Sequence, residues 1–104
     1  MRLDRLNLKD GTLLKLKEDV NLSNVPVREM KNKIYWYTLD KDEIVLYLCC
    51  HNIEETNLYG DTNFFIVTLK LLVNDKFRYH EFEVKNLNDF RKLFNTCYEK
   101  VSAK

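Results

Sequence analysis

Residues 79 to 94 read Tyr79-His80-Glu81-Phe82-Glu83-Val84-Lys85-Asn86-Leu87-Asn88-Asp89-Phe90-Arg91-Lys92-Leu93-Phe94. Here the apolar spacing changes from that of a strand to that of a helix. Phe82 and Val84 alternate with Glu81, Glu83 and Lys85, the pattern of a strand with one wet face. Phe90, Leu93, Phe94, Cys97, Tyr98 and Val101 then recur at i, i+3, i+4, i+7, i+8 and i+11, a continuous stripe on one side of a helix. Asn86 stands where a side-chain oxygen caps the first turn, and Asp89 places a carboxylate near the positive end of the helix dipole. The chain is therefore expected to close with a strand running into one amphipathic helix that continues through Val101.

Upstream of this junction the signals are those of short strands. Phe65, Val67, Leu69, Leu71 and Val73 put five apolar side chains on one face, with Thr68 and Lys70 on a face expected to meet water. Asn74-Asp75-Lys76 turns that strand into residues 77–85, where Phe77 and Tyr79 have one parity and Phe82 and Val84 the other. A β-bulge near His80 and Glu81 would reconcile them. Residues 34–39 and 44–50 read as a hairpin turned by Asp40-Lys41-Asp42, and residues 2–8 and 12–17 as another turned at Asp10-Gly11. Residues 18–33, with Pro26, read as a long loop holding a short edge strand near 25–30, and residues 51–63 as a second loop with a tight turn at Gly60-Asp61. The expected class is α+β: six or seven mostly antiparallel strands in a bent sheet, sandwich or partly open barrel, with one C-terminal amphipathic helix. At 104 residues one domain, 1–104, is expected.

Composition narrows the function classes. Net charge is +1, so no global field draws in a duplex or an anionic membrane. Residues 1–33 carry +3, residues 34–62 carry −5 and residues 63–104 carry +3, which makes the middle of the chain an acidic segment. No apolar run reaches the roughly 18 to 20 residues that span a bilayer, and charges at nearly every second position from Arg2 onward do not suit a secretory leader. Three cysteines, two of them adjacent, suit a reducing compartment, so a cytoplasmic location is expected. Abundant Asn, Lys, Ile, Tyr and Phe suit an AT-rich genome, as in many phages, mobile elements and parasites.

Gly11-Thr12-Leu13-Leu14-Lys15-Leu16, the run from Ile34 to Tyr47, Phe65-Ile66-Val67-Thr68, and the strand-to-helix junction quoted above resemble the strands and closing helix of the pleckstrin-homology-like superfold. The resemblance covers most of the chain and rests on burial patterns. It implies consecutive hairpins closed by the helix. In members that bind phosphoinositides, basic residues on the first two strands hold the head group. Lys15 and Lys17 with Lys31 and Lys33, helped by Arg28, are similar in arrangement, and phosphoinositide or another anionic ligand is the alternative partner that the resemblance implies.

Chemistry-bearing motifs are sparse. Cys49-Cys50-His51 offers soft ligands, but adjacent strand residues point to opposite faces, so no metal site is expected from them. With Gly11 and Gly60 as the only glycines there is no phosphate-cradling loop, and no nucleophile is placed beside a base; an enzyme is not expected, nor any cofactor. Tyr35, Trp36 and Tyr37, and again Phe77-Arg78-Tyr79, interleave aromatic and basic groups as single-stranded nucleic-acid binders do, a further alternative. If Trp36 faces inward, Tyr35 and Tyr37 face outward as an aromatic strip suited to a protein. The leading expectation is a non-enzymatic interaction module that binds a protein partner through Tyr35, Tyr37, Asp40, Asp42, Glu54, Glu55, Tyr59 and Asp61. A small phage or mobile-element inhibitor of a host protein is one concrete form of it, and a homodimer through a strand edge is another arrangement open to the chain.

Overall fold

The structure is a computed structural model and describes residues 8–26, 33–56 and 63–101. Seven strands, β1 (Leu13–Leu16), β2 (Val20–Ser23), β3 (Trp36–Leu39), β4 (Ile44–Thr56), β5 (Asn63–Val73), β6 (Lys76–Val84) and β7 (Tyr98–Lys100), form one antiparallel sheet in the order β3-β2-β6-β5-β4-β1-β7. The sheet curls into a half-barrel, and helix α1 (Leu87–Cys97) lies between β6 and β7 in the chain. The architecture is the α+β class expected from the sequence, with more than one of its connections drawn differently.

The centre is the meander β4-β5-β6. Five alternating apolar residues of β5 face the core, where Val67, Leu69 and Leu71 are fully buried. Asn74 and Asp75 take φ values of +49° and +65°, the two-residue hairpin turn whose twist matches the strands it joins. The β5–β6 register then runs without interruption from Val73↔Lys76 to Phe65↔Val84, so β6 has no bulge. The change of parity resolves otherwise: His80 shares the core face with Phe82 and Val84, and Phe77 and Tyr79 lie on the outer face. The one irregularity falls in β4 between Tyr47 and Cys49, which lets Tyr47 oppose Leu71 and Cys50 oppose Leu69 on the core side. Thr68, expected to meet water, is buried, and its hydroxyl donates to Glu81 Oε2 at 3.1 Å.

Three loop-and-hairpin expectations are corrected. Residues 51–56 continue β4 instead of opening a loop, and their ladder with β5 extends to Thr56↔Asn63. The stretch read as a loop after residue 18 contains β2, whose Val20 and Leu22 are buried. Most consequentially, the hairpin expected from residues 34–39 and 44–50 does not pair with itself. β3 pairs with β2, and β4 with β1 and β5, so Asp40-Lys41-Asp42 carries the chain across the half-barrel. Both edges of β1 are taken by β4 and β7, and residues 2–7 of the other expected hairpin lie outside the described residues. Among the described strands, consecutive ones pair in β2-β3 and β4-β5-β6 only.

The two crossings support each other. Leu16 N–H donates to Glu43 O and Asp42 N–H to Leu16 O, while Asp19 Oδ1 accepts from Lys41 N–H at 2.7 Å. Two corners are thereby tied by backbone bonds, which is why a residue with positive φ, Asp42 at +76°, is tolerated there.

Asn86 caps α1 as expected, its Oδ1 accepting from Asp89 N–H at 2.8 Å, and Asp89 accepts in turn from Lys85 N–H. Phe90, Phe94 and Cys97 seat the helix on the core, with Phe90 edge-on to Phe82 at 5.4 Å between ring centroids. The helix stops four residues before the expected end. Tyr98 is extended and fully buried against Leu16, and Tyr98–Lys100 joins the free edge of β1. Three ladder pairs there outweigh the helical spacing, since an amphipathic stripe states a preference that tertiary pairing overrides.

Gly11 closes the turn before β1 at φ +88°, with nothing within 4 Å of the position a Cβ would take. Gly11→Ala is expected to cost about 1 kcal/mol from backbone strain alone. Urea unfolding measures it, and a cost near zero would show that the turn relaxes to negative φ.

Candidate functional site

β3 lies at one end of the strand order, and among the described residues nothing pairs with its outer edge. The edge is aromatic: Tyr35 is 49%, Trp36 60% and Tyr37 39% exposed. Asn24 N–H donates to Tyr35 O, which makes Asn24 and Tyr35 a hydrogen-bonded pair and, by alternation, Leu22/Tyr37 and Val20/Leu39 the next ones. The backbone N–H and C=O groups of Trp36 and Thr38 therefore point away from β2.

The side chains alternate about this edge. Tyr37 and Leu39 pair with the buried Leu22 and Val20 and belong to the core-facing side, where Leu39 packs on the core. Trp36 and Thr38 pair with Ser23 and Asn21 on the opposite side, and Thr38 Oγ1 donates to Asn21 Oδ1 at 2.8 Å. The inward Trp36 of the sequence expectation is thus reversed. Tyr37 stays exposed on the core-facing side because it lies at the rim of an unclosed barrel.

Cations sit over the tyrosines. The Arg78 guanidinium lies 4.0 Å above the Tyr37 ring, and Lys33 Nζ lies 5.6 Å from the Tyr35 centroid. A 530 Å³ hollow at the end of β3 is lined by Tyr37, Leu39, Asp40, Glu43, Lys76 and Arg78, among others. A 280 Å³ hollow bordered by residues of both sheet faces is lined by Glu18, Asp19, Ser23, Trp36, His80 and Glu81, among others. One face of the edge is accordingly basic over its tyrosines, and Trp36 borders an acidic hollow.

The remaining expected residues disperse. Asp40 and Asp42 are exposed at the crossing, and Asp42 forms an ion pair with Lys15 at 3.7 Å, joining a residue expected to bind protein with one expected to bind anions. Lys17 Nζ donates to Asn95 O at 2.7 Å, so it serves the helix C-terminus, which has no basic residue of its own in the last turn. Lys33 is at the opposite end of the sheet order, beside β3. Glu54 and Glu55 lie in β4 opposite Phe65 and Phe64, in a strand where a loop was expected. Tyr59, Asp61, Arg28 and Lys31 lie outside the described residues.

No protein-family model matches this chain, and no curated protein or solved structure is significantly similar to it.

The sulfur and imidazole groups have local roles. Burial pushes the Cys50 thiol up to about 12, with the neighbouring Cys49 adding to the shift, and pushes Cys97 up to about 11, aided by its contact with Glu18. Both thiols are therefore protonated at neutral pH. Cys49 and His51, two apart on the outer face of β4, bring Sγ and Nε2 to 3.7 Å. Among the described residues no three His, Cys, Asp or Glu groups are placed to hold a metal ion. His80 Nδ1 and the Tyr98 hydroxyl share a hydrogen bond in the core. No helix among the described residues is long and apolar enough to cross a membrane.

A second apolar surface runs across the outer face. Leu13, Leu46, Leu72 and Phe77 stand in one cross-strand row over β1, β4, β5 and β6, with Ile44 beside it. Its ends Leu13 and Phe77 are exposed, and Lys70 Nζ lies 4.3 Å from the Phe77 centroid. At Leu13, Leu46 and Leu72 the backbone is already paired on both sides. Among the described residues, β3 is an end strand that brings three exposed aromatic side chains together with unpaired backbone groups.

Proposed function

We propose that this chain is a non-enzymatic interaction module that binds a protein partner through β3 and its flanking turn. The observation that carries the reading is the run of three exposed aromatic residues, Tyr35 to Tyr37, on a sheet edge that no other described residue pairs with. Large, rigid aromatic side chains supply much contact area at little entropy cost, and they dominate protein interfaces for that reason. A net charge of +1 suits a partner recognised by shape and local charge over one recognised by a polyanionic backbone. Asp40 and Asp42 flank the strip at its C-terminal end and add polar rim.

The test is affinity capture from lysate of the source cells with the wild-type chain and with the triple variant Tyr35→Ala, Trp36→Ala, Tyr37→Ala as baits. All three side chains are exposed, so the variant is expected to remain folded, with thermal unfolding as the check. One protein retained in stoichiometric amount by the wild type and lost by about a hundredfold with the variant is the expected result, in line with hot-spot aromatics. Equal retention by both baits would refute the reading.

A further inference from the structure

We infer that the partner supplies an extended segment that adds to the sheet as a strand against the outer edge of β3, with acidic and apolar side chains alternating along it. The inference rests on the proposal that β3 is the binding surface, and it specifies what is bound there and how.

Backbone geometry comes first. Trp36 and Thr38 direct two N–H and two C=O groups outward from the ladder. An extended chain laid beside β3 meets these donors and acceptors at the spacing of one strand pair. A helix satisfies its own backbone groups and offers them nothing.

Side-chain chemistry then sets the pattern. Residues of an added strand alternate between the two faces of the sheet, beside Tyr35 and Tyr37 on one and beside Trp36 on the other. The first face carries the Lys33 ammonium and the Arg78 guanidinium, each held over a tyrosine ring. A carboxylate placed there meets two cations. The second face offers the most exposed apolar side chain of the edge, Trp36, beside a hollow lined by Glu18, Asp19 and Glu81. A carboxylate there meets like charge, and an apolar side chain covers the indole. The acid-favouring positions end near Tyr37, because Asp40 and Glu43 line the hollow beyond it.

The same charges disfavour a second copy of this chain as occupant. Pairing two β3 strands about Tyr37 would set the two Arg78 groups across one strand pair from each other, on the same face.

The test uses two synthetic nonapeptides, one alternating Glu and Ile and one alternating Lys and Ile. Trp36 is the single tryptophan and reports directly on its own burial. The Glu-Ile peptide is expected to shift Trp36 emission to the blue and to slow amide hydrogen exchange at Trp36 and Thr38. The Lys-Ile peptide is expected to bind about tenfold or more weakly. Thr38→Pro removes one outward N–H that the native ladder does not use, as edge strands tolerate, and Thr38→Ala controls for the lost hydroxyl. Tenfold or greater weakening by Thr38→Pro with Thr38→Ala near wild type supports strand addition. Slowed exchange at the two wild-type amides decides the matter without any variant if Thr38→Pro unfolds.

Neither peptide binding, or the Glu-Ile peptide binding without slowed exchange at Trp36 and Thr38, overturns the inference. A partner lost with the triple aromatic variant but kept with Thr38→Pro overturns strand addition and leaves the module reading standing; a partner kept with both sinks both. Concentration-dependent dimerisation that slows the same two amides without peptide overturns it in favour of a second copy.

Discussion

Phe90→Ala is expected to remove about 3 to 5 kcal/mol of folding free energy, the usual cost of truncating a fully buried aromatic side chain. Phe90 is entirely shielded from solvent and contacts rings on two elements, Phe82 of β6 at 5.4 Å and Phe94 of its own helix at 6.0 Å between centroids. The helix has few other anchors: Phe94 and Cys97 complete its buried face. For a domain whose total stability is on the order of 5 to 15 kcal/mol, such a loss moves the urea midpoint far enough to be read without extrapolation. Leu93→Ala is the discriminating control. The apolar stripe in the sequence puts Leu93 on the same face as Phe90, yet its side chain is 39% exposed, so its truncation is expected to cost about 1 kcal/mol or less. Equal losses for the two variants would show that α1 is rotated from the seat described above.

The contrast between Leu93 and Phe90 shows what the sequence could and could not convey. Local periodicity located α1, its Asn86 cap, the core face of β5 and the Asn74-Asp75 turn, because each depends on residues within a few positions of one another. Pairing partners depend on the whole chain. The segments flanking Asp40-Lys41-Asp42 have the composition of a hairpin, and nothing local says that the first joins β2 while the second joins β1 and β5. β7 is the clearest case, since Tyr98 suits either the helical stripe or a strand and the open edge of β1 decides between them.

The same distinction governs the candidate site. Tyr35 and Tyr37 were legible as an aromatic strip, and they are exposed. Trp36 was not, because its orientation follows from pairing with Ser23 on β2, a strand hidden in what reads as a loop. Arg78 lies far from Tyr37 in the chain, and its position over the ring follows from β2 separating β3 and β6 in the sheet. The Lys15–Asp42 ion pair likewise follows from the corner where the chain crosses the half-barrel, and it draws a cation expected at an anion site into the frame of the fold.

Between pH 6.5 and 4 the domain is expected to lose up to about 3 kcal/mol of stability through His80 alone. Burial lowers the imidazole from its ordinary 6.5 to about 4, and Nδ1 shares a hydrogen bond with the Tyr98 hydroxyl. Glu18 and Glu81 line the hollow beside it, but burial dominates. Across that window the unfolded chain binds a proton that the folded chain excludes, so acid favours unfolding; above 6.5 the contribution is complete, and by about 4 it is spent. Carboxylates add their own acid dependence, so the decisive quantity is the difference in slope between the wild type and His80→Leu in urea unfolding from pH 7 to 4.5. His80→Leu alone strands the Tyr98 hydroxyl, a pH-independent penalty of about 1 to 3 kcal/mol that is set against its shallower slope. Combined with Tyr98→Phe it exchanges a hydrogen-bonded pair for an apolar one, so the double variant is expected to regain stability while keeping the shallow slope. Parallel slopes for the wild type and both variants would mean that His80 takes up its proton in the folded state as readily as in water, and that the core opens around it.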